Sequence, residues 1–446
     1  MAGMRLCFVA DLNSIHSRKF IGYFPPRGHE VLVISTTPFT GEMFAGARVV
    51  SLGTASDALG FFDKSARALD QRVDHLARGL MAWNPSLQLA VIRRSIARRT
   101  ARAIEDRIGF YERHRGRVRS LVHDFRPDLL QCLRLPIEGY LGGYADYTPT
   151  LQFCWGNDLT LYATRYPTYG DLTRRTLSRC AAFLSDCHRD ARLAGEWGLP
   201  ATIPTLVTPG GGGLETERLE KEDQEGERGG ERERERDKRA PAVATPRRTA
   251  DRAATDIRRN DAPLIFLTLR GLGGRYTDNL PVIRAIPRIR ETLGDRFRLR
   301  FVGPHEPYRP LLLAEARRLG VAEFLEFSGR VPHETIPAAI READFVFSAT
   351  YHDGTPNSML ETMWYGGIPL CGDLESVREW ITDGENGYLF DMGDPGRIAR
   401  TFMRAVGERD RHARFREVNR GLIKERADYA TCMARVEAFY RMLLSK

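Results

Sequence analysis

The stretch YHDGTPNSMLETMWYGGIPLCGDLESVREWITDGENGYLF, residues 351–390, decides how the chain is read. Asp353 and Glu361 stand eight positions apart, separated by Gly354, Thr355, Pro356 and a short apolar run. Pro356 fixes a turn, and Asn357 or Ser358 can cap a helix beginning there. The spacing predicts a helix from Ser358 to Trp364, with Glu361 in its first turns and Asp353 in the preceding loop. Two acceptor groups and a helix N-terminus then converge on one pocket, which suits a ligand carrying hydroxyls and phosphates. A capped surface helix with unrelated acids has the same spacing, so spacing alone leaves both readings open.

Upstream, residues 264–268, 298–303, 323–327 and 344–348 read as strands separated by helical patterning such as that of 311–319, which implies a parallel sheet. Arg270 ends the first of these strands and opens the run Gly271-Leu272-Gly273-Gly274-Arg275-Tyr276. Glycines let backbone amides approach a ligand, and Arg270 and Arg275, five apart, can grip a diphosphate; an ordinary turn is the alternative. The N-terminal half has the same rhythm. Residues 5–10 and 30–35 are strand-like around a helical stretch at 17–26, and further strands are expected at 128–131, 150–153, 181–185 and 205–207. Asn13 and His16 fall in the loop after the first strand, where a doubly wound domain meets its ligand.

Between the halves, residues 215–262 are over half charged, nearly balanced in sign and almost free of large apolar side chains. Such a segment cannot bury enough surface to offset its ordering entropy, so disorder is expected, with a charged helix conceivable at 231–239. The predicted organisation is an N-terminal domain 1–214, a charged insert or linker 215–262, a C-terminal domain 263–430, and a last helix in 431–446 packing back on the first domain.

At 446 residues the chain has room for two cores, and 42% apolar and 28% charged residues suit a soluble protein. No apolar run reaches the roughly 18 residues of a membrane span, and the first apolar run is too short for a signal peptide. The seven cysteines are dispersed without a Cys-x-x-Cys pair, as expected of reduced thiols in a cytosol rather than of a disulfide scaffold or zinc site. The net charge of +9 favours anionic partners without choosing among phosphates, nucleic acid and acidic membrane. Arginines crowd the helical pattern of 91–119; an exposed face of a packed helix explains them, and a platform for an anionic membrane at the inner face is the functional alternative.

The residues around Asp353 and Glu361 resemble the donor-site signature of the retaining glycosyltransferases of family 4. That pattern has a Glu, seven residues, a second Glu, a small-residue turn before Pro, and a later Glu near Asn-Gly. Here the positions are Asp353, Glu361, Gly366-Gly367-Ile368-Pro369, Glu379 and Asn386-Gly387, so the first acid is one methylene short. Arg270, Gly303 and Gly329 precede them in the family's order. In the N-terminal half, Pro127-Asp128, the 155–159 stretch and Thr208-Pro209-Gly210-Gly211 follow it more loosely. The His that many members carry after the Pro-Asp strand is absent from Gln131-Cys132-Leu133-Arg134.

The resemblance implies a GT-B fold, two Rossmann-like doubly wound domains facing a central cleft. It implies transfer, with retention and without a metal or other cofactor, from a nucleotide-diphospho-sugar to a glycan or lipid-linked acceptor, and no nucleic-acid partner. Glu361 would take the ribose hydroxyls. Arg270, Gly271, Arg275, Gly303, Asn357 and Ser358 would complete donor binding. Asp353 would hold a donor-sugar hydroxyl near the anomeric centre. His16 and Arg134 are the remaining catalytic candidates, and Asn13 and Asp158 the acceptor-side ones. A sugar-nucleotide epimerase of the same architecture and a non-catalytic binding subunit are the rival expectations.

Overall fold

A computed structural model of the chain describes residues 2–39, 46–53, 109–164, 167–222, 262–273, 276–303 and 308–445. Runs of β-branched and aromatic residues build two sheets. The first holds β1 (Arg5–Ala10), β2 (Glu30–Ser35), β3 (Ala47–Ser51), β4 (Leu129–Leu133), β5 (Thr150–Cys154), β6 (Ala182–Ser185) and β7 (Thr205–Val207). The second holds β8 (Leu264–Thr268), β9 (Phe297–Val302), β10 (Leu325–Gly329), β11 (Phe345–Ser348), β12 (Pro369–Gly372) and β13 (Tyr388–Phe390). Strand order is β3-β2-β1-β4-β5-β6-β7 in one sheet and β10-β9-β8-β11-β12-β13 in the other, parallel throughout. β4 and β5 are buried along their whole length, as parallel strands covered on both faces should be. These are the two Rossmann-like domains expected.

In each sheet the first strand lies between the second and the fourth. The winding reverses there, and a crevice opens at the carboxyl ends of β1 and β4 and, in the second sheet, of β8 and β11. Asp11 and Arg134 stand at the first crevice, Arg270 and Asp353 at the second.

Several local expectations are corrected. The first helix is Ile15–Gly22, with a separate 3₁₀ turn at Pro25–Arg27, because the prolines end the regular helix. β10 starts at Leu325 because Ala322–Phe324 closes a 3₁₀ turn that buries Phe324. β3, β12 and β13 were not expected; they are short, and β12 begins on a proline.

The charged segment is not an interdomain linker from its start. Residues 216–222 are helical, and Leu219 is buried in one cluster with Leu360, Trp364, Trp380 and Ile423 of the second domain. Lys424 pairs with Glu220 at 2.7 Å. The chain therefore crosses at Leu214, and the rest of the segment leaves from the second domain and returns to it at β8. The expected charged helix at 231–239 lies outside the described residues.

The chain crosses back at Asp428. Leu214 N–H donates to Ala427 O and Tyr429 N–H to Leu214 O, both at 2.7 Å, so the outgoing and returning strands are bridged side by side. The helix Tyr429–Leu444 then packs on the first domain through Met433, Val436 and Tyr440. Tyr440 stacks on Phe24 with ring centroids 5.5 Å apart and donates to the buried Gln131 side chain at 2.9 Å. Tyr440→Ala is expected to cost about 3–5 kcal/mol in urea unfolding, as other large buried aromatics do, whereas Tyr440→Phe loses only one hydrogen bond, about 1 kcal/mol.

Candidate active site

The second-domain wall of the cleft forms where β8 and β11 end. Asp353 sits in the loop after β11, and Arg270, just past β8, donates to its Oδ2 at 2.5 Å. Both side chains are four-fifths buried, so this ion pair is only weakly screened. The helix Asn357–Trp364 comes next, and Glu361 lies in it as predicted. No side chain caps this helix; its N-cap is Pro356, and Asn357 reaches out of the helix to the first domain. Glu361 meets His333 Nε2 at 3.1 Å, and that contact raises the pKa of the imidazole. Ser358 lines a recess with Arg270, Ser348 and Thr362. Gly271 and Gly303 lie beside it in the loops after β8 and β9, Gly303 at φ +130°. Arg275 lies outside the described residues.

The first-domain wall begins with Ser14, whose side chain caps the helix Ile15–Gly22 and so fixes His16 at the cleft. His16 Nδ1 lies 3.4 Å from Asn357 Nδ2, and Trp155 meets its ring edge-on at 6.4 Å. Burial lowers the pKa of His16 and favours the neutral ring, so Nδ1 accepts from Asn357. Asn13 is exposed and is held by its loop, its amide donating to Asp11 at 2.9 Å.

Arg134 takes φ +103°, a conformation that costs a non-glycine residue about 1–3 kcal/mol. Its guanidinium donates to Asn157 and Asp158 and lies 5.9 Å from the Trp155 ring centre. Asp158 is fully buried and also accepts from the amides of Leu135 and Trp155. It anchors Arg134 and two loop amides and cannot itself reach an acceptor. After β4 and after β5 the chain forms π-helical turns, Leu135–Gly139 and Asp158–Ala163, a local widening that often marks functional sites.

The two walls touch along a seam. A Cβ on Gly156 would collide with the amide nitrogen of Gly354, and one on Gly354 would collide with the carboxylate of Asp186, so only glycine permits this approach. Thr355 Oγ1 donates to Asp186 O. Arg189, buried, donates to Asp190 at 2.7 Å, to Gly156 O at 2.7 Å and to Ser376 Oγ at 3.0 Å; Ser376 in turn donates to Asp353 O at 2.7 Å. Glu379 accepts from the amides of His188 and Arg189 at the start of the helix His188–Glu196, at 2.8 and 2.9 Å. Burial raises the pKa of Asp186 well out of the usual carboxylate range and that of Asp190 to about 6, with Arg189 opposing the rise at Asp190. Asp186, Cys187 and Asp190 bring three potential ligand atoms within 4.8 Å of one another, but Arg189 already occupies Asp190 and burial keeps the thiol protonated.

Thus Asp353, Arg270, Glu361, Asn357, Ser358 and His16 gather around one cleft, with Arg134 behind Trp155, while Asp158 is structural. Sequence reasoning gave no role to Asp186, Arg189, His333, Ser376 or Glu138. Only the first two had a signal, a charged cluster placed directly after a strand. Of the basic 91–119 region, 91–108 lie outside the described residues; Arg113, Arg115, Arg117 and Arg119 are exposed on the helix 109–125. Among the described residues no helix is long and apolar enough to cross a membrane.

Residues 276–421 match the family model "Glycosyl transferases group 1". No curated protein sequence matches the chain. Solved structures resemble it over nearly its full length. Anabaena Alr3699/HepE in complex with UDP superposes with TM-score 0.62 at 12% identity, over 98% of this chain and 100% of that one. The UDP-forming α,α-trehalose-phosphate synthase from Burkholderia vietnamiensis gives 0.65 at 12%, over 98% and 100%. Sucrose-phosphate synthase from Thermosynechococcus elongatus gives 0.63 at 11%, over 99% and 99%. The fold is GT-B.

Gly156→Ala drives a methyl into the backbone of Gly354 and should hold the walls apart. Small-angle scattering is expected to show a larger radius of gyration than for the wild type. Gly116→Ala, which meets nothing within 4 Å, should leave it unchanged.

Proposed function

We propose that the protein is a glycosyltransferase that moves a sugar, with retention, from a nucleotide-diphospho-sugar to a hydroxyl of a glycan or lipid-linked acceptor. The observation that carries this is the convergence of Arg270, Asp353 and Glu361 at the β8/β11 crevice, opposite His16. The family match spans Asp353 and Glu361, and structural neighbours that hold UDP or form it support uridine as the base.

Charge decides the roles. A departing nucleoside diphosphate gains negative charge, and Arg270 with the amides after β8 and β9 would stabilise it electrostatically without a metal; Arg275 is assigned to the same task from its place in the sequence. Glu361 accepts the ribose hydroxyls. Asp353, oriented by Arg270 and through its carbonyl by Ser376, holds a hydroxyl of the donor sugar. Neutral His16 accepts at Nδ1 from Asn357, which leaves Nε2–H to donate a hydrogen bond to a sugar oxygen in the cleft. No side chain is required as a covalent nucleophile, so attack on the donor's front face fits the charges best. The closed seam excludes the water that would hydrolyse the donor. The exposed arginines of helix 109–125 fit contact with an anionic membrane carrying the acceptor.

A thermal-shift screen of UDP-, GDP-, ADP- and dTDP-sugars tests the reading. A true donor at about 100 times its dissociation constant adds about 2.7 kcal/mol of stability. Glu361→Ala should abolish that shift, and unchanged affinity in this variant for every nucleotide sugar would sink the assignment. Appearance of an epimerised donor without any acceptor would favour the epimerase instead. His333 gives a pH test. Its raised pKa means that the charged imidazole competes for Glu361 in mild acid and releases it as pH rises. Donor affinity should therefore be a few-fold weaker at about pH 6 than at about pH 8, and His333→Ala should flatten the difference.

A further inference from the structure

A cavity of about 90 Å³ lies behind the seam, on the side where the last helix returns to the first domain. One water needs roughly 10–15 Å³ of such space, so a tetrahedral oxyanion has room in it. Both domains line it: Asp186, His188 and Thr208 from the first, Glu379 and Arg426 from the second, with Arg435 from the last helix. Their charges do not cancel. Arg426 donates to the carbonyl of Glu379 at 2.8 Å and lies 4.4 Å from the Trp380 ring centre, contacts that hold the guanidinium without neutralising it. Arg435 is exposed, and among the described residues no carboxylate pairs with either arginine. The two acids on the wall are engaged elsewhere. Glu379 accepts from the amides of His188 and Arg189, and Asp186 accepts from the amide of Gly156, with burial disfavouring its charge. Thr208 is the second sign of a ligand: it is 3% exposed, and its hydroxyl oxygen has no hydrogen-bond partner. The nearby Cys432 thiol turns to the carbonyl of Arg426 instead, at 3.5 Å. A buried hydroxyl left alone is rare and calls for a partner from outside the chain.

We propose that this cavity is a phosphate site that staples the two domains in their closed form. Arg426 and Arg435 meet the phosphate oxygens with charge-assisted hydrogen bonds, and the Thr208 hydroxyl donates a third. The ligand is a phosphate group, free or as a monoester whose remainder leaves past the exposed His188 and Arg435. Thr208 and Arg435 belong to one domain and Arg426 to the other, so the site is complete only while the seam is closed. Bound phosphate therefore favours closure, and opening releases it. Arg270, Asp353 and Glu361 do not line this cavity, and the site does not depend on the transferase reading.

Calorimetric titration of the full chain with inorganic phosphate, and separately with glucose 1-phosphate, tests the site at fixed ionic strength with chloride as the control. Each titration is run with and without excess UDP, which fills the cleft under the transferase reading. One saturable site is expected, with Kd weakened about tenfold or more in Arg435→Ala, as loss of one charge-assisted bond implies. Thr208→Val should weaken it several-fold, and it is the sharper variant, since the hydroxyl it removes bonds to nothing else in the chain. Both variants should keep the melting temperature of the wild type in phosphate-free buffer. Gly156→Ala, which parts the walls without lining the cavity, should lose the site. The more tightly bound of the two probes identifies the source of the phosphate. No saturable binding, or equal affinity in the wild type, Arg435→Ala and Thr208→Val, overturns the proposal; full affinity in Gly156→Ala overturns the staple. Phosphate binding that these variants weaken, in a chain that ignores every nucleotide sugar, would count against the transfer reading alone and uphold the site.

Discussion

One buried cation, Arg189, holds the cleft in the form described. Its guanidinium neutralises Asp190, ties down the carbonyl of Gly156 and reaches across to Ser376, which fixes the carbonyl of Asp353. Both sides of the seam, and the backbone of the acid at the second crevice, are thus referred to one group. A buried charge of this kind adds little net stability, since desolvation consumes most of its Coulombic gain. Loss of one partner is another matter, because Asp190 would remain buried without compensation, at a cost of about 3–5 kcal/mol. Arg189 therefore supplies registry more than stability.

That registry matters because the electrostatic parts come from separate elements. Arg270 and Asp353 belong to different loops of one domain, His16 to the other, and Glu379 spends its charge on the helix that starts at His188. The Arg270–Asp353 pair fixes a cation and an acid side by side at the second crevice, each oriented by the other. Asp353 meets Arg270 directly, and both side chains are four-fifths buried.

How far this was legible depends on the range of each interaction. Strand-forming runs and the Gly-Thr-Pro turn are local, so the second sheet, the helix at 357–364 and the placing of Asp353 and Glu361 could be read from the residues alone. β12 and β13 could not, because their three or four residues count as strands only beside β11. Leu219 is one leucine among charges and reveals itself only against Trp364 and Trp380. Glu138, in an apolar turn, carries no spacing that links it to Thr36 a hundred residues earlier. Asp158 misled in the opposite sense, since a carboxylate in a Gly-Asn-Asp turn looks like a ligand group and is instead consumed by Arg134.

The bridge between Leu214 and Asp428 has a mechanical consequence. Two strands cross between the domains side by side, and only a few residues of each are free of both cores. The effective concentration of one wall at the other is set by that short double tether and decreases with its length. Residues 216–222 already dock on the second domain, so on this side the tether is only the chain between Val207 and that helix. The two halves of the cleft are therefore held at high mutual concentration, and lengthening either crossing would dilute one half with respect to the other.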